Sequence, residues 1–222
     1  MNYILNIETA TKNCSVALSQ NGDVIACKEI AEAGYSHAEK LHVFIEEILK
    51  ENKLTFKDLS AIAISQGPGS YTGLRIGVSA AKGLCYSLDI PLIAIDTLEV
   101  LSRKLTMESG IIIPMIDARR MECYTAIFNN KHEKIREVKA EIIDENSFRE
   151  ITETIHFVGD GASKCKNILT DVKFVYHNEI VFPSANEMSK IAYDKYKKND
   201  TVDVAYFEPF YLKDFMMTVS SK

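Results

Sequence analysis

Ser65-Gln66-Gly67-Pro68-Gly69-Ser70-Tyr71-Thr72-Gly73-Leu74-Arg75-Ile76-Gly77 is the stretch that decides how this chain is read. The residues before it, 59–65, are almost all apolar and predict a buried strand. Gly67, Pro68 and Gly69 predict a turn. Thr72 onward predicts a helix that runs to about residue 87. A strand feeding a glycine-rich turn and a helix N-terminus resembles a phosphate-binding device, because free backbone N–H groups and the helix dipole converge on one point. Gly67, Gly69 and Ser70 would then form the cradle. The alternative is that the glycines serve the turn and let the helix pack closely. Gly-Lys-Ser/Thr is missing, so the loop is not a Walker A motif. Ser70 follows Gly69 directly, so the spacing of a nucleophile elbow is missing too.

The helix after the loop carries two faces. Leu74, Val78, Ala81, Leu84 and Leu88 form an apolar one. Thr72, Ile76, Ala80, Gly83 and Ser87 form a second, made mostly of small residues. A helix apolar or small nearly all round is buried on more than one side, and small residues admit a second helix at close range. Packing within the chain and packing against a partner subunit both fit. Arg75 lies on the same helix, as a surface tether or as half of an interface ion pair.

Working outward, residues 3–7, 13–19 and 24–30 predict three strands, with Gln20-Asn21-Gly22-Asp23 as a hairpin turn. A helix follows from about residue 36, with Ser36 and Glu39 as a capping box. Its stripe is Leu41, Phe44, Ile45, Ile48 and Leu49. Residues 91–95 predict a strand, and Asp96-Thr97 caps a helix through Leu98, Leu101 and Leu105. The second half repeats the order. Strands at 111–116, 122–128 and 134–142 precede a short helix at 144–150, a strand at 155–158, the turn Gly159-Asp160-Gly161 and a helix at 162–170. An amphipathic helix at 184–197 comes last. A β-β-β-α-β-α unit thus occurs twice, which predicts an α/β fold of two similar lobes around a cleft. The expected division is 1–106 and 107–222, with the last segment returning to the first lobe.

Glu8 and Asp117 end the first strand of each repeat. Paired carboxylates at such turns suit a kinase-like cleft, where they would hold a magnesium-bound water or orient a nucleophile. They equally suit duplicated turns stabilised by acceptor oxygens. His37 and His42 are five apart, roughly 140° around a helix, unlike the one-face pair that binds metal. His37 falls on the apolar stripe. The five Cys are widely spaced with no C-x-x-C pair, against zinc-ribbon and thioredoxin readings and for free thiols. The net charge of -5 speaks against a general nucleic-acid binder. No window approaches a membrane span, and the N-terminus lacks the pattern of a signal peptide. A cytoplasmic location is expected.

Several segments together resemble one family. They are Tyr3-Ile4-Leu5-Asn6-Ile7-Glu8-Thr9-Ala10-Thr11 with Cys14-Ser15-Val16-Ala17-Leu18, and the glycine motif Gln66 to Gly77. Further along are Ile116-Asp117-Ala118-Arg119-Arg120-Met121-Glu122-Cys123-Tyr124, Gly159-Asp160-Gly161 and Pro209-Phe210-Tyr211-Leu212-Lys213. The family is TsaB, also called YeaZ, of bacterial tRNA threonylcarbamoyladenosine (t6A) biosynthesis. The resemblance implies a two-lobed actin/Hsp70/sugar-kinase-like, ribonuclease H-like fold. It implies a non-catalytic partner of the paralogue TsaD, which transfers the threonylcarbamoyl group to adenosine 37 of tRNA. TsaC makes the donor and TsaE is the accompanying ATPase. In TsaD a His pair on a helix binds the metal, whereas residues 84–89 here hold no His. Glu8 stands where many members carry Asp. The resemblance places the partner face on His37, Leu41 and Phe44 of one helix and on Thr72, Arg75, Ile76, Ala80 and Gly83 of the next. The same face would form a homodimer when TsaD is missing. Glu8, Gly67, Gly69, Ser70 and Asp117 would be a vestigial nucleotide or phosphate loop. No cofactor, metal or catalytic residue is expected, and tRNA is reached only through the complex. The rival reading is an ATP-binding or ATP-hydrolysing kinase-like enzyme acting alone.

Overall fold

The computed structural model describes residues 1–31 and 37–212. The proposed cap Ser36 and Lys213 of the last motif lie outside them. The first half forms strands β1 (Tyr3–Glu8), β2 (Asn13–Gln20) and β3 (Asp23–Ala31), then α1 (His37–Glu51), β4 (Leu59–Gly67), α2 (Tyr71–Leu88), β5 (Leu92–Asp96) and α3 (Thr97–Ser102). The second forms β6 (Ile111–Asp117), β7 (Glu122–Asn129), β8 (Lys134–Ile142), β9 (Ile155–Val158), α4 (Asp160–Cys165), β10 (Phe174–Tyr176) and α5 (Met188–Lys197).

The two halves build the same sheet. The first has the order β3-β2-β1-β4-β5 and the second β8-β7-β6-β9-β10. In each, the three leading strands are antiparallel and the last two run parallel to the first. This is the duplicated, two-lobed actin-like arrangement. One face of the first sheet buries Leu5, Ile7, Val16, Ile62 and Ile64 under Leu41, Ile45 and Ile48 of α1 and Val78 and Ala81 of α2. The other face, Ile4, Ala17, Ala61, Ala63 and Ile93, is covered by Met188, Ile191 and Ala192 of α5. The chain thus comes back to its first sheet after completing the second. Helix α3 sits between the sheets. Its Val100 enters the first core, and its Leu98 and Leu101 enter the second with Ile112, Phe128 and Val158.

The helix expected at 144–150 is a run of turns, so the second copy lacks the helix between its third and fourth strands. Asp144 Oδ1 accepts from the Asn146 N–H (2.9 Å) and the Ser147 hydroxyl (3.1 Å), and Phe148 has a φ of 63°. Such side-chain bonds divert the backbone from helix, and the left-handed residue ends it. Three boundaries also differ. Helix α3 stops at Ser102 rather than reaching Leu105, although Leu105 still packs beside it. Helix α4 spans Asp160–Cys165 rather than 162–170. Residues 184–187 form an N-cap and one 3₁₀ turn ahead of α5. Among the described residues no helix is long and apolar enough to cross a membrane.

Candidate functional site

The glycines of the loop and α2 face inward. A Cβ on Gly69 would stand 2.3 Å from the Ala10 carbonyl oxygen, one on Gly73 2.1 Å from the Thr9 carbonyl oxygen, and one on Gly77 2.2 Å from Thr9 Oγ1. The turn after β1 therefore lies directly on α2, and the Thr9 hydroxyl donates to the Gly73 carbonyl at 2.8 Å. Close backbone approach is what absence of a Cβ permits. Three of the N–H groups expected to cradle phosphate are bonded within the chain itself. The Ser70 N–H donates to the Ala10 oxygen (2.7 Å), the Gly73 N–H to Ser70 Oγ (3.3 Å), and the Gly67 N–H to Thr97 Oγ1 (3.1 Å). Ser70 is thus the N-cap of α2. Close packing accounts for Gly69, Gly73 and Gly77.

The carboxylates at the two equivalent strand ends differ sharply. Glu8 is fully buried, and its Oε1 accepts the Ala10 N–H at 2.6 Å. Burial pushes its carboxyl up to about 7. Asp117 is exposed and lines a cleft of about 560 Å³ between the two halves, together with Lys12, Gly69, Ser70, Arg119 and Asp160. Lys164 Nζ donates to Asp117 Oδ1 and to the carbonyls of Arg120 (2.8 Å) and Glu122 (2.6 Å). Asp160 Oδ1 accepts the Asp117 N–H at 2.9 Å, and burial pushes its carboxyl up. Glu8 does not line this cleft, so the structure does not bring the two acids to one opening. Among the described residues no three His, Cys, Asp or Glu gather as metal ligands.

Glu8 makes stability pH-dependent. The native carboxyl keeps its proton to about pH 7, whereas the unfolded chain releases it near ~4.3. Between those values the native state binds more protons, so stability falls as pH rises, by at most about 1.4 kcal/mol per pH unit. Glu8→Gln keeps an acceptor for Ala10 and removes the charge. Thermal unfolding of both chains from pH 5 to pH 8 is expected to give curves that diverge, with the variant the more stable at pH 8. Parallel curves would mean that Glu8 is not held protonated by burial.

The outer side of α1 and α2 is a different surface. Thr72, Arg75, Ser79, Gly83, Tyr86 and Ser87 are exposed on α2, and Ile76, Ala80 and Leu84 are half-buried. A Cβ on Gly83 would meet nothing within 4 Å. On α1, Val43 is 45% exposed and Phe44 half-buried. Tyr86 is 86% exposed. Two residues expected on this face are not there. His37 and Leu41 are fully buried, because the apolar stripe of α1 faces its own sheet. A ring nitrogen of His37 lies 2.6 Å from the Thr11 carbonyl oxygen, and its edge covers Gly73. His37 therefore braces the turn after β1. Val43 and Tyr86 were missed. Tyr86 follows Thr72, Ser79 and Gly83 at helical spacing, a signal present in the sequence. Arg75 donates to the Tyr71 hydroxyl (2.8 Å) and lies over that ring, and Tyr71 packs on Tyr211 (centroids 5.1 Å apart). Residues 202–212 border this side of α2, with Lys82 donating to the Ala205 and Phe207 carbonyls.

The family model for TsaD, tRNA N6-adenosine threonylcarbamoyltransferase, matches residues 30–217. A tRNA threonylcarbamoyladenosine biosynthesis protein TsaB from Escherichia coli (strain K12) is 30% identical, covering 95% of this chain and 94% of that protein. The TsaB of Bacillus subtilis (strain 168) is also 30% identical, over 95% and 93%. The chain belongs to the TsaB family. With the family comes a role in t6A biosynthesis. YeaZ from Pseudomonas aeruginosa shares the fold, with a TM-score of 0.83 at 22% identity over 96% of this chain and all of that one. A transferase of Bacillus thuringiensis (strain Al Hakam) is 37% identical, but over only 41% of this chain and 31% of that enzyme. The two TsaB relatives match nearly end to end, and this transferase matches over less than half of the chain.

Proposed function

We propose that the chain is the accessory, non-catalytic subunit that binds and activates TsaD for threonylcarbamoyl transfer to adenosine 37 of tRNA. The exposed small-residue stripe of α2 carries this reading. Thr72, Ser79 and Gly83 face solvent on a helix whose opposite side is fixed by Gly73 and Gly77 against the turn after β1. A rigid helix with small outward residues suits close packing against a second helix. Phe44, Ile76 and Ala80 would form the half-buried floor of the contact, with Arg75 and Val43 at its borders. TsaE joins the larger assembly, tRNA is met through it, and two copies of this chain pair through the same face when TsaD is absent. Mass measurement of the chain alone and after mixing with TsaD tests this. A homodimer that converts to a heterodimer is expected, and two unchanged separate species would contradict it.

The rival reading, a kinase-like enzyme acting alone, has against it three loop N–H groups already bonded within the chain and an Asp117 paired with Lys164. Millimolar ATP with magnesium is expected to move the unfolding midpoint of the isolated chain by less than about 1 °C, whereas a ligand at 100 times its Kd would add about 2.7 kcal/mol and shift it by several degrees. A clear upward shift, lost in Asp117→Ala, would favour the rival.

A further inference from the structure

Cys123 on β7 and Cys165 at the end of α4 are both fully buried, with their Sγ atoms 3.8 Å apart. They do not share this arrangement with Cys14 and Cys85, which lie in the first-sheet core, or with Cys27, which is exposed. A disulfide holds its sulfurs about 2.05 Å apart, so the pair needs to close by less than the width of one atom. The two side chains already converge, and Cys123 Sγ also points at the Gly161 carbonyl (3.7 Å). Gly161 packs on the β6 backbone and fixes the start of α4. Cys165 is the last helical residue, and turns follow it.

We propose that Cys123 and Cys165 form a redox pair that a hydroperoxide converts to an intramolecular disulfide, stapling α4 to β7. Cys165 is the attacking sulfur. The hydrogen bond that the two thiols share, in which either sulfur can be the donor, and the neighbouring Lys164 hold the Cys165 thiol below the ordinary value, whereas that bond and burial push Cys123 up. The Cys165 thiolate attacks one peroxide oxygen, the O–O bond breaks and hydroxide leaves, taking up the proton that Cys165 lost to become water. Cys165 is then a sulfenic acid. The Cys123 sulfur attacks Cys165 Sγ, the S–S bond forms and the S–O bond breaks. The Cys123 proton leaves with the hydroxyl as water. Two thiols and one hydrogen peroxide give one disulfide and two waters, with sulfur oxidised and peroxide reduced. Burial makes the reaction slower than oxidation of the exposed Cys27. The product fixes the wall of the cleft, because α4 begins at Asp160 and carries Lys164, the two residues that hold Asp117.

The test uses the full chain with Cys27→Ser, which removes the exposed thiol on the edge strand. It is treated with hydrogen peroxide in its folded state, denatured, blocked with N-ethylmaleimide and mapped without reduction. The expected product is lighter by two hydrogens, joins the Cys123 and Cys165 peptides, and reverts with dithiothreitol. Its unfolding midpoint is expected to exceed that of the reduced chain. Recovery of both cysteines as maleimide adducts overturns the proposal, as does recovery of either as a sulfinic or sulfonic acid without a cross-link. Cys165→Ser is expected to yield no loss of two hydrogens. Mapping the parent decides the matter even where that variant folds poorly.

Discussion

Gly73→Ala is expected to lower the stability of the chain by about 3 kcal/mol, at the upper end for overpacking, while Gly83→Ala raises it by up to about 1 kcal/mol. The two glycines sit on one helix, ten positions apart, and helix propensity alone predicts the same gain for both. The surroundings decide the sign. A methyl group on Gly73 would stand 2.1 Å from the Thr9 carbonyl oxygen, a backbone atom held between β1 and β2. Relief requires moving α2 or the turn, and moving either disturbs His37 on Thr11 and the Ser70–Ala10 bond. A methyl group on Gly83 meets nothing within 4 Å. Thermal unfolding reads the difference as a fall of roughly 6–12 °C for Gly73→Ala and a small rise for Gly83→Ala. Equal shifts in the two variants would mean that the turn after β1 does not press on α2.

Gly83→Arg is the counterpart for binding. In the free chain the new side chain extends into solvent, and Arg is a better helix former than Gly, so the fold is expected to be at least as stable. Against a close-packed partner helix the same side chain overlaps the neighbour or carries an unpaired charge into the contact. A loss of at least ~1000-fold in affinity for TsaD is expected, about 4 kcal/mol. Ala80→Arg is a less clean probe, because Ala80 packs partly on its own core and the change would strain the free chain. The same Gly83 variant is expected to weaken the homodimer, since the proposal puts both assemblies on this face.

Much of the fold was legible because it rests on local pattern. Apolar runs placed the central strands, the hairpin turn at Gln20–Asp23 fell where its residues put it, and the repeated order predicted two matching sheets. The misses were of two kinds. At 144–150 an acidic stretch whose one apolar residue is Phe148 reads as a short helix, but Asp144 and Ser147 bond the backbone locally. Strand β10 is three residues long and exists because β9 offers it an edge, which no short window reveals. The site was harder to read. Whether the N–H groups of the glycine loop are free depends on Ala10, some sixty residues away. On α1 the stripe containing His37 and Leu41 was assigned to a partner, although an apolar stripe serves first to cover the chain's own sheet. Tyr86 could be placed outward from its spacing on α2, whereas Val43 shows itself as outward only once the sheet's position is known.

Docking through the outer face of α2 is the central claim, and calorimetric titration of TsaD with the parent chain and with Gly83→Arg tests it most directly. The account predicts saturable binding by the parent and a loss of at least ~1000-fold in the variant, with the variant's unfolding midpoint no lower than the parent's at dilutions where both are monomeric. Binding of Gly83→Arg as tight as that of the parent would contradict it.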